Sequence, residues 1–220
     1  MPKVSKEYIE NKKKIIIDSA YSLCLEKTMS TITMQDIIDK TGFSQGGIYR
    51  FYNDIDEIFA DMIKSIRKEI YIKEEVDEIF SLENRLSVKE INNSIFNMLS
   101  DFMEKELKKS EKIEFELSVL AMNYPERIER ILKNIDPCGH KKYLMKRVSE
   151  YLYKKSESGE INPKKEISEI LAYIASAYSG IQMSCIVNHC YIKSPDSEFY
   201  TPKELFNILE DTVNFLLGIS

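Results

Sequence analysis

The sequence predicts an all-α protein: an N-terminal three-helix head containing a helix-turn-helix, followed by a larger helical body. Three observations carry that expectation. Glycine and proline are scarce, 7 and 6 in 220 residues, too few turn formers for a many-stranded sheet. Apolar residues recur at helical spacing along most of the chain. Thr, Ser or Asp followed three residues later by an acid, the capping-box pattern, stands at the start of several of those stretches. With 43% hydrophobic and 30% charged residues, the chain can bury a substantial core, which excludes disordered, collagen-like and disulfide-scaffold classes.

The first helix spans about 7–27, with Ile9, Ile16, Ala20 and Leu23 at helical spacing and Lys12, Lys13 and Lys14 between them. Thr33-Met34-Gln35-Asp36 then caps a short helix whose inner side is Ile37 and Ile38. It ends at Thr41-Gly42, because glycine tolerates the left-handed conformation that closes a helix. Phe43 plugs the turn, and Ser44 caps a second short helix from Gln45 to Phe51 or Tyr52. Two short helices joined by about three residues, with glycine in the turn, form a helix-turn-helix. Asp54-Ile55-Asp56-Glu57 opens a longer helix to about Tyr71. Further helices are expected at 87–107, 111–123, 125–135, 139–158, from Asn162-Pro163 to about 190, and from Thr201-Pro202 onward. The domain boundary falls within the long helix starting near Ile55, giving a head of residues 1–54 and a body of 55–220.

The charge is asymmetric. The whole chain carries a net −5, but residues 1–52 carry +2 and the remainder −7. Phosphate contacts act within about 8–10 Å at physiological salt, so an acidic protein can still dock on nucleic acid through a locally basic head. Cys24, Cys138, Cys185 and Cys190 form no C-x-x-C pair, so reduced thiols are expected and neither a zinc centre nor a disulfide. The apolar run Ile15–Ile17 is too short for a signal-peptide core. Residues 170–192 contain no Asp, Glu, Lys or Arg but are broken by serines, Gly180 and Asn188. A helix covered by protein is expected there, not a membrane span. These readings place the protein in the cytoplasm, away from membranes.

Three of the seven glycines, Gly42, Gly46 and Gly47, fall within six residues. Those at 46 and 47 sit in the first turn of a helix, where each costs about 1 kcal/mol relative to alanine. That cost is accepted where a backbone must approach another surface closely. A recognition helix presents its N-terminal residues to base edges. Ser44, Gln45, Tyr49 and Arg50 supply donors on the exposed arc, while Ile48 and Tyr52 turn inward. Gln pairs with adenine, Arg with guanine or phosphate, and Ser and Tyr with phosphate. The plainer alternative is that Gly46-Gly47 frays a loop and Tyr49 is a packing aromatic. It leaves the capped helix and glycine turn before them unexplained.

Thr33-x-x-Asp-Ile-Ile-x-x-Thr-Gly-Phe-Ser-x-Gly-Gly-Ile-Tyr-x-Phe-Tyr-x-Asp-x-Asp-Glu-Ile-Phe resembles the DNA-binding signature of TetR-type transcriptional regulators, across residues 8–63. The resemblance implies a homodimer with a helix-turn-helix head and a helical body that binds a small effector. It places DNA contacts on Thr33, Ser44, Gln45, Gly46, Gly47, Tyr49 and Arg50, and gives Ile37, Ile48, Tyr52 and Phe59 to the head's core. Three positions depart from the family pattern: Thr28 where glycine is usual, Phe51 where His or Tyr is common, and Ile55 where a phosphate-binding Lys is common.

In the body, the 163–190 helix and the last helix carry apolar residues on more than one side, which require cover. They resemble the family's four-helix dimer interface, with Ile170, Ile174, Ile181, Leu205, Leu209, Val213 and Leu216 expected in it. Two-fold symmetry then implies a palindromic operator on double-stranded DNA. Effector contacts are expected at Phe96, Leu99, Met103, Phe115, Met122, Tyr173, Tyr178 and His189, since Met and aromatic side chains suit an adaptable apolar cavity. No nucleophile elbow, phosphate loop or metal-spaced ligand set is present, so no enzyme activity, cofactor or metal is expected. The expected function is a regulator, in all expectation a repressor, released from its operator by an apolar or amphipathic effector. The competing class is a helical ligand-binding or scaffold protein, or an enzyme, whose head does not read DNA.

Overall fold

The computed structural model describes residues 5–69, 72–135, 139–192 and 200–219. Among them every regular element is a helix, and there is no strand. The helices are α1 (Lys6–Glu26), α2 (Met34–Thr41), α3 (Gln45–Tyr49), α4 (Ile55–Glu69), α5 (Lys73–Ser81), α6 (Val88–Glu106), α7 (Lys112–Asn123), α8 (Pro125–Leu132), α9 (Gly139–Glu157), α10 (Ile167–Ile186) and α11 (Pro202–Leu216). Cys138 lies outside the described residues.

The caps explain where most helices begin. Reciprocal capping boxes stand at Thr33–Asp36, Ser87–Glu90 and Thr201–Glu204. Before α4 the bonds are shared differently. Asp54 accepts from the Glu57 N–H, and the Glu57 carboxylate reaches back one residue further, to the Asn53 N–H. Gly42, with φ of 67°, closes α2 in the left-handed conformation. Thr28, where glycine was the family's usual residue, opens a 3₁₀ turn in ordinary extended geometry, with φ of −68°.

Two differences from the sequence reading have simple causes. Helix α5 went unread because its start has no capping side chain; Ile72 occupies that position. Helix α10 starts at Ile167, four residues after Pro163, because the preceding strap is bound elsewhere. The Lys164 N–H donates to the Leu216 carbonyl at 2.8 Å. Gly218, with φ of 70°, lies so close to Asn162 that an added Cβ would stand 2.3 Å from its carbonyl oxygen.

The chain divides into two compact units, which do not follow the expected division at residue 54/55. The first unit runs through Glu69 and takes in 112–137; the second comprises 70–111 and 138–220. The reason is electrostatic as much as apolar. Asp56, 5% exposed, accepts from Arg127 Nε at 2.8 Å and also from Arg130. Arg67 grips Glu114 through Nε and Nη2 at 2.8 and 2.9 Å. Lys112 donates to the Cys24 carbonyl and to Glu116, at 2.5 and 2.9 Å, and Glu116 accepts from the Met29 N–H at 2.5 Å. Buried charges are tolerable only when paired and hydrogen-bonded, so helices α7 and α8 complete the first unit. Its core includes Ile16, Ile37, Ile48, Tyr52, Phe59 and Met62. In the second unit α11 packs along α6, and α10 along α11.

Candidate nucleic-acid interface and effector cavity

Helix α3 is a single five-residue segment, shorter than the expected run to 51 or 52. Ile48, fully buried, holds it to the head, and Ser44 caps it by accepting from the Gly47 N–H at 3.2 Å. This leaves Ser44, Gln45, Gly46, Tyr49 and Arg50 exposed together, with Gly47 half-buried. An added Cβ at Gly46 would meet nothing within 4 Å, whereas one at Gly47 would stand 3.2 Å from Ser44 Oγ. Gly46 also has no positive φ. Nothing inside the molecule therefore calls for glycine at 46.

Thr33 is exposed, but its polar groups are committed. Its N–H and hydroxyl both donate to Asp36 at 2.8 Å, and its oxygen accepts from the Asp36 N–H. Lys27, 2.5 Å from Asp36, and the two Thr33 donors hold the Asp36 carboxyl at about 2, below its ordinary 3.8. A phosphate arriving there would meet the first-turn N–H groups of α2 more readily than the Thr33 side chain.

The Lys12–Lys14 run is not a uniform solvated face. Lys12 Nζ lies 4.1 Å from the centre of the Phe43 ring, inside the helix-turn-helix turn. Lys13 sits 4.7 Å over the Tyr52 ring and 3.2 Å from Asp61, which also accepts from the Tyr52 hydroxyl at 2.9 Å. Burial, followed by Asp61, pushes the Tyr52 hydroxyl far above its usual range. Lys14 is exposed. Beneath the head, burial pushes the Cys24 thiol up to about 12, with Glu116 adding to the rise and Lys112 opposing it. Such a thiol is inert.

The second unit contains a cavity of about 210 Å³, lined by α6, α9 and α10 with Ile72 and Val213. Of the expected effector contacts it brings together Phe96, Leu99 and Tyr178. The other five do not line it. Met103 is fully buried, Phe115 and Met122 lie on α7 of the first unit with Met122 82% exposed, and Tyr173 and His189 are exposed. The reading missed Asn92, Ile95, Lys141, Leu144, Met145, Val148 and Leu152. Their signal was available, because 141, 144, 145, 148 and 152 form one stripe of a helix.

The expected interface residues also need correction. Ile170, Leu209 and Val213 are 1%, 4% and 2% exposed within the single chain, and Ile174 and Val213 line the cavity. Ile181, Leu205 and Leu216 are half-buried. Ile170, Leu209 and Val213 thus belong to the chain's own core, while the other four keep part of their surface exposed. The same helices show Tyr173, Met183, Ile208 and Phe215 at 42%, 58%, 58% and 62% exposure. The expectation that protein covers the uncharged stretch near 170–192 fails within one chain: 17% of its most apolar window is buried, and by length and composition alone it could cross a membrane. Among the described residues, no group of three or more His, Cys, Asp or Glu is placed to hold a metal.

Residues 16–62 match the family model described as bacterial regulatory proteins, tetR family. The chain is 24% identical over 180 residues to the uncharacterised HTH-type transcriptional regulator YfiR of Bacillus subtilis (strain 168), covering 82% of both chains. Its fold is similar to that of the fatty acid degradation regulator FadR from Bacillus halodurans, with a TM-score of 0.57, 18% identity, and 96% of each chain covered. It is also similar to a bacterial regulatory protein in the tetR family from Rhodococcus RHA1, with a TM-score of 0.58, 13% identity, and 99% and 100% of the two chains covered.

Proposed function

We propose that this chain, whose residues 16–62 match the tetR family model, is a DNA-binding transcriptional regulator of that family, a homodimeric repressor released from a palindromic operator by a small amphipathic effector. The observation that supports the reading most directly is the open space at Gly46 beside exposed Gln45, Tyr49 and Arg50. A helix-weakening residue with no internal reason marks a backbone that something else must approach. A major groove is such a surface. Gln45 and Gly46 meet base edges, Arg50 meets guanine or phosphate, Ser44 and Tyr49 meet phosphate, and the start of α2 beside Thr33 meets the next phosphate.

Dimerisation uses the outer face of α10 and α11, where Tyr173, Met183, Ile208 and Phe215 are exposed. Exposed Ala172, Ser176 and Gly180 let a partner helix come close, and no atom lies within 4 Å of an added Cβ at Gly180. The cavity in the second unit receives the effector, and effector and operator oppose one another because each prefers a different arrangement of the pair. Nothing in this scheme requires catalysis, a metal or a cofactor. The protein works in the cytoplasm, beside the DNA it reads.

Binding to the DNA upstream of its own gene, measured by fluorescence anisotropy at two salt concentrations, tests the reading. The wild type binds with an affinity that falls steeply with salt, as phosphate contacts demand. The Tyr49→Ala, Arg50→Ala double variant keeps its circular dichroism spectrum and loses that binding. Retained binding in the double variant would remove α3 as the reading element.

A further inference from the structure

The cavity of the second unit is elongated and charged at one end. Its α6 wall runs from Asn92 to Phe102, about 15 Å at 1.5 Å per residue. Helix α9 runs antiparallel to α6, because Lys141 meets Glu111 just beyond the C-terminal end of α6 while Lys154 pairs with Glu83 before its start. Lys141 therefore stands at one end of the cavity and Asn92 towards the other.

Among the described residues, Lys141 is the one charged side chain in the lining. About a third of it is exposed, its ammonium is 5.1 Å from the centre of the Tyr178 ring, and it lies 3.5 Å from Glu111. That last distance is an ion pair but no tight hydrogen bond. The Glu111 carboxylate, 1% exposed, is held by Gln182 and is not part of the lining. The first turn of α9 contains no acid, so the positive end of the helix dipole adds to Lys141. Asn92, 5% exposed, donates from its Nδ2 to the Asn214 amide oxygen at 2.9 Å. The remaining wall is almost wholly apolar. An apolar channel with a cation at one end suits an occupant that is apolar along its length and anionic at one end.

We infer that the cavity binds an amphipathic anion, a carboxylate on an extended apolar body, with the carboxylate on Lys141 and the body lying between α6 and α9. This rests on the effector reading above and names the chemistry of that site. The carboxylate joins Lys141 from the cavity side, opposite Glu111, and Tyr178 flanks the ammonium. An uncharged chain of the same length fills the same space without that contact.

The test uses the full-length protein and three ten-carbon probes, decanoate, 1-decanol and decylamine, titrated calorimetrically below their micelle-forming concentrations. Decanoate should bind about tenfold more tightly than decanol, the scale of one charge-assisted hydrogen bond, and decylamine should bind weakest. Lys141→Met should erase the preference for decanoate while keeping decanol binding, and Lys141→Arg should keep the preference. A preference unchanged in Lys141→Met overturns the inference, as does tightest binding of decylamine, or no binding of any probe. Should Lys141→Met lose decanol as well, Lys141→Arg decides, and loss of the preference there overturns it. Operator binding by the ligand-free protein is measured in parallel. If DNA binding is intact and decanol releases the operator as well as decanoate does, this inference alone falls; if no DNA is bound while the decanoate preference stands, the regulator reading alone falls.

Discussion

Gly46 and Asp36 are defined by opposite surroundings: an added Cβ at Gly46 meets nothing within 4 Å, whereas Asp36 is held by Lys27 and by two donors of Thr33. Because an added Cβ at Gly46 meets open space and the backbone there needs no positive φ, Gly46→Ala should raise thermal stability, by up to about 1 kcal/mol. The same variant should weaken operator binding, since the methyl group stands where DNA must come. Paired melts and anisotropy titrations check both signs; a variant that is more stable and binds as well as wild type would contradict the docking geometry. Asp36 is held low by Lys27 and by the Thr33 donors. A carboxyl depressed in the folded state contributes stability above its unfolded pKa, and the contribution fades as pH falls from about 4 towards about 2. Wild type should therefore exceed Asp36→Asn in stability at pH 6, and the gap should close through that window in denaturant titrations. Its exposure and the screening of its Lys27 partner keep the effect small.

Among the helices, the legible starts were those with a local side-chain signature. Thr33, Ser87 and Thr201 announce α2, α6 and α11 because the capping box is written within four consecutive residues. Helix α5 has no such signature, and α10 begins late because of a bond from Lys164 to Leu216, distant in sequence. The start of α3 was legible for the same reason as the caps: Ser44 accepts from the Gly47 N–H within its own turn. The cavity was half legible, since periodicity names the apolar stripe of a helix but not which of two stripes faces inward. That ambiguity put Ile174 and Val213 at an interface when they line the cavity. Cap energetics give an element-level prediction. Ser87 Oγ accepts from the Glu90 N–H and donates to its carboxylate at 2.7 Å, so Ser87→Ala should cost about 1 kcal/mol. For a chain of this size that is about 2–4 °C in Tm, read by calorimetry, with operator affinity unchanged.

At the level of the whole molecule, the proposed dimer rests on the exposed apolar face of α10 and α11. Ile208 is 58% exposed, so Ile208→Glu leaves the subunit's own core alone and places a charge where a partner would sit. Sedimentation velocity should show the wild type at twice the chain mass and the variant at the chain mass, with operator affinity falling steeply as the two heads lose their shared register. A wild type that sediments as a single chain at micromolar concentration would exclude this face as an interface. The acidic remainder of the chain, net −7 beyond residue 52, disfavours DNA contact away from the head, which agrees with the proposed docking through α3.

The ion pairs of Glu114, Arg127 and Arg130, and the hydrogen bond from Lys112 to the Cys24 carbonyl, tie α7 and α8 to the N-terminal helices and bear on modularity. A fragment cut after Glu69 would carry Asp56 and Arg67 stripped of their partners, and the Met29 N–H without its acceptor. Anyone grafting this reading head onto a foreign sensor must transplant a discontinuous piece, with residues 112–132 travelling alongside the first 69, or the chimera will inherit orphaned charges in place of a folded module.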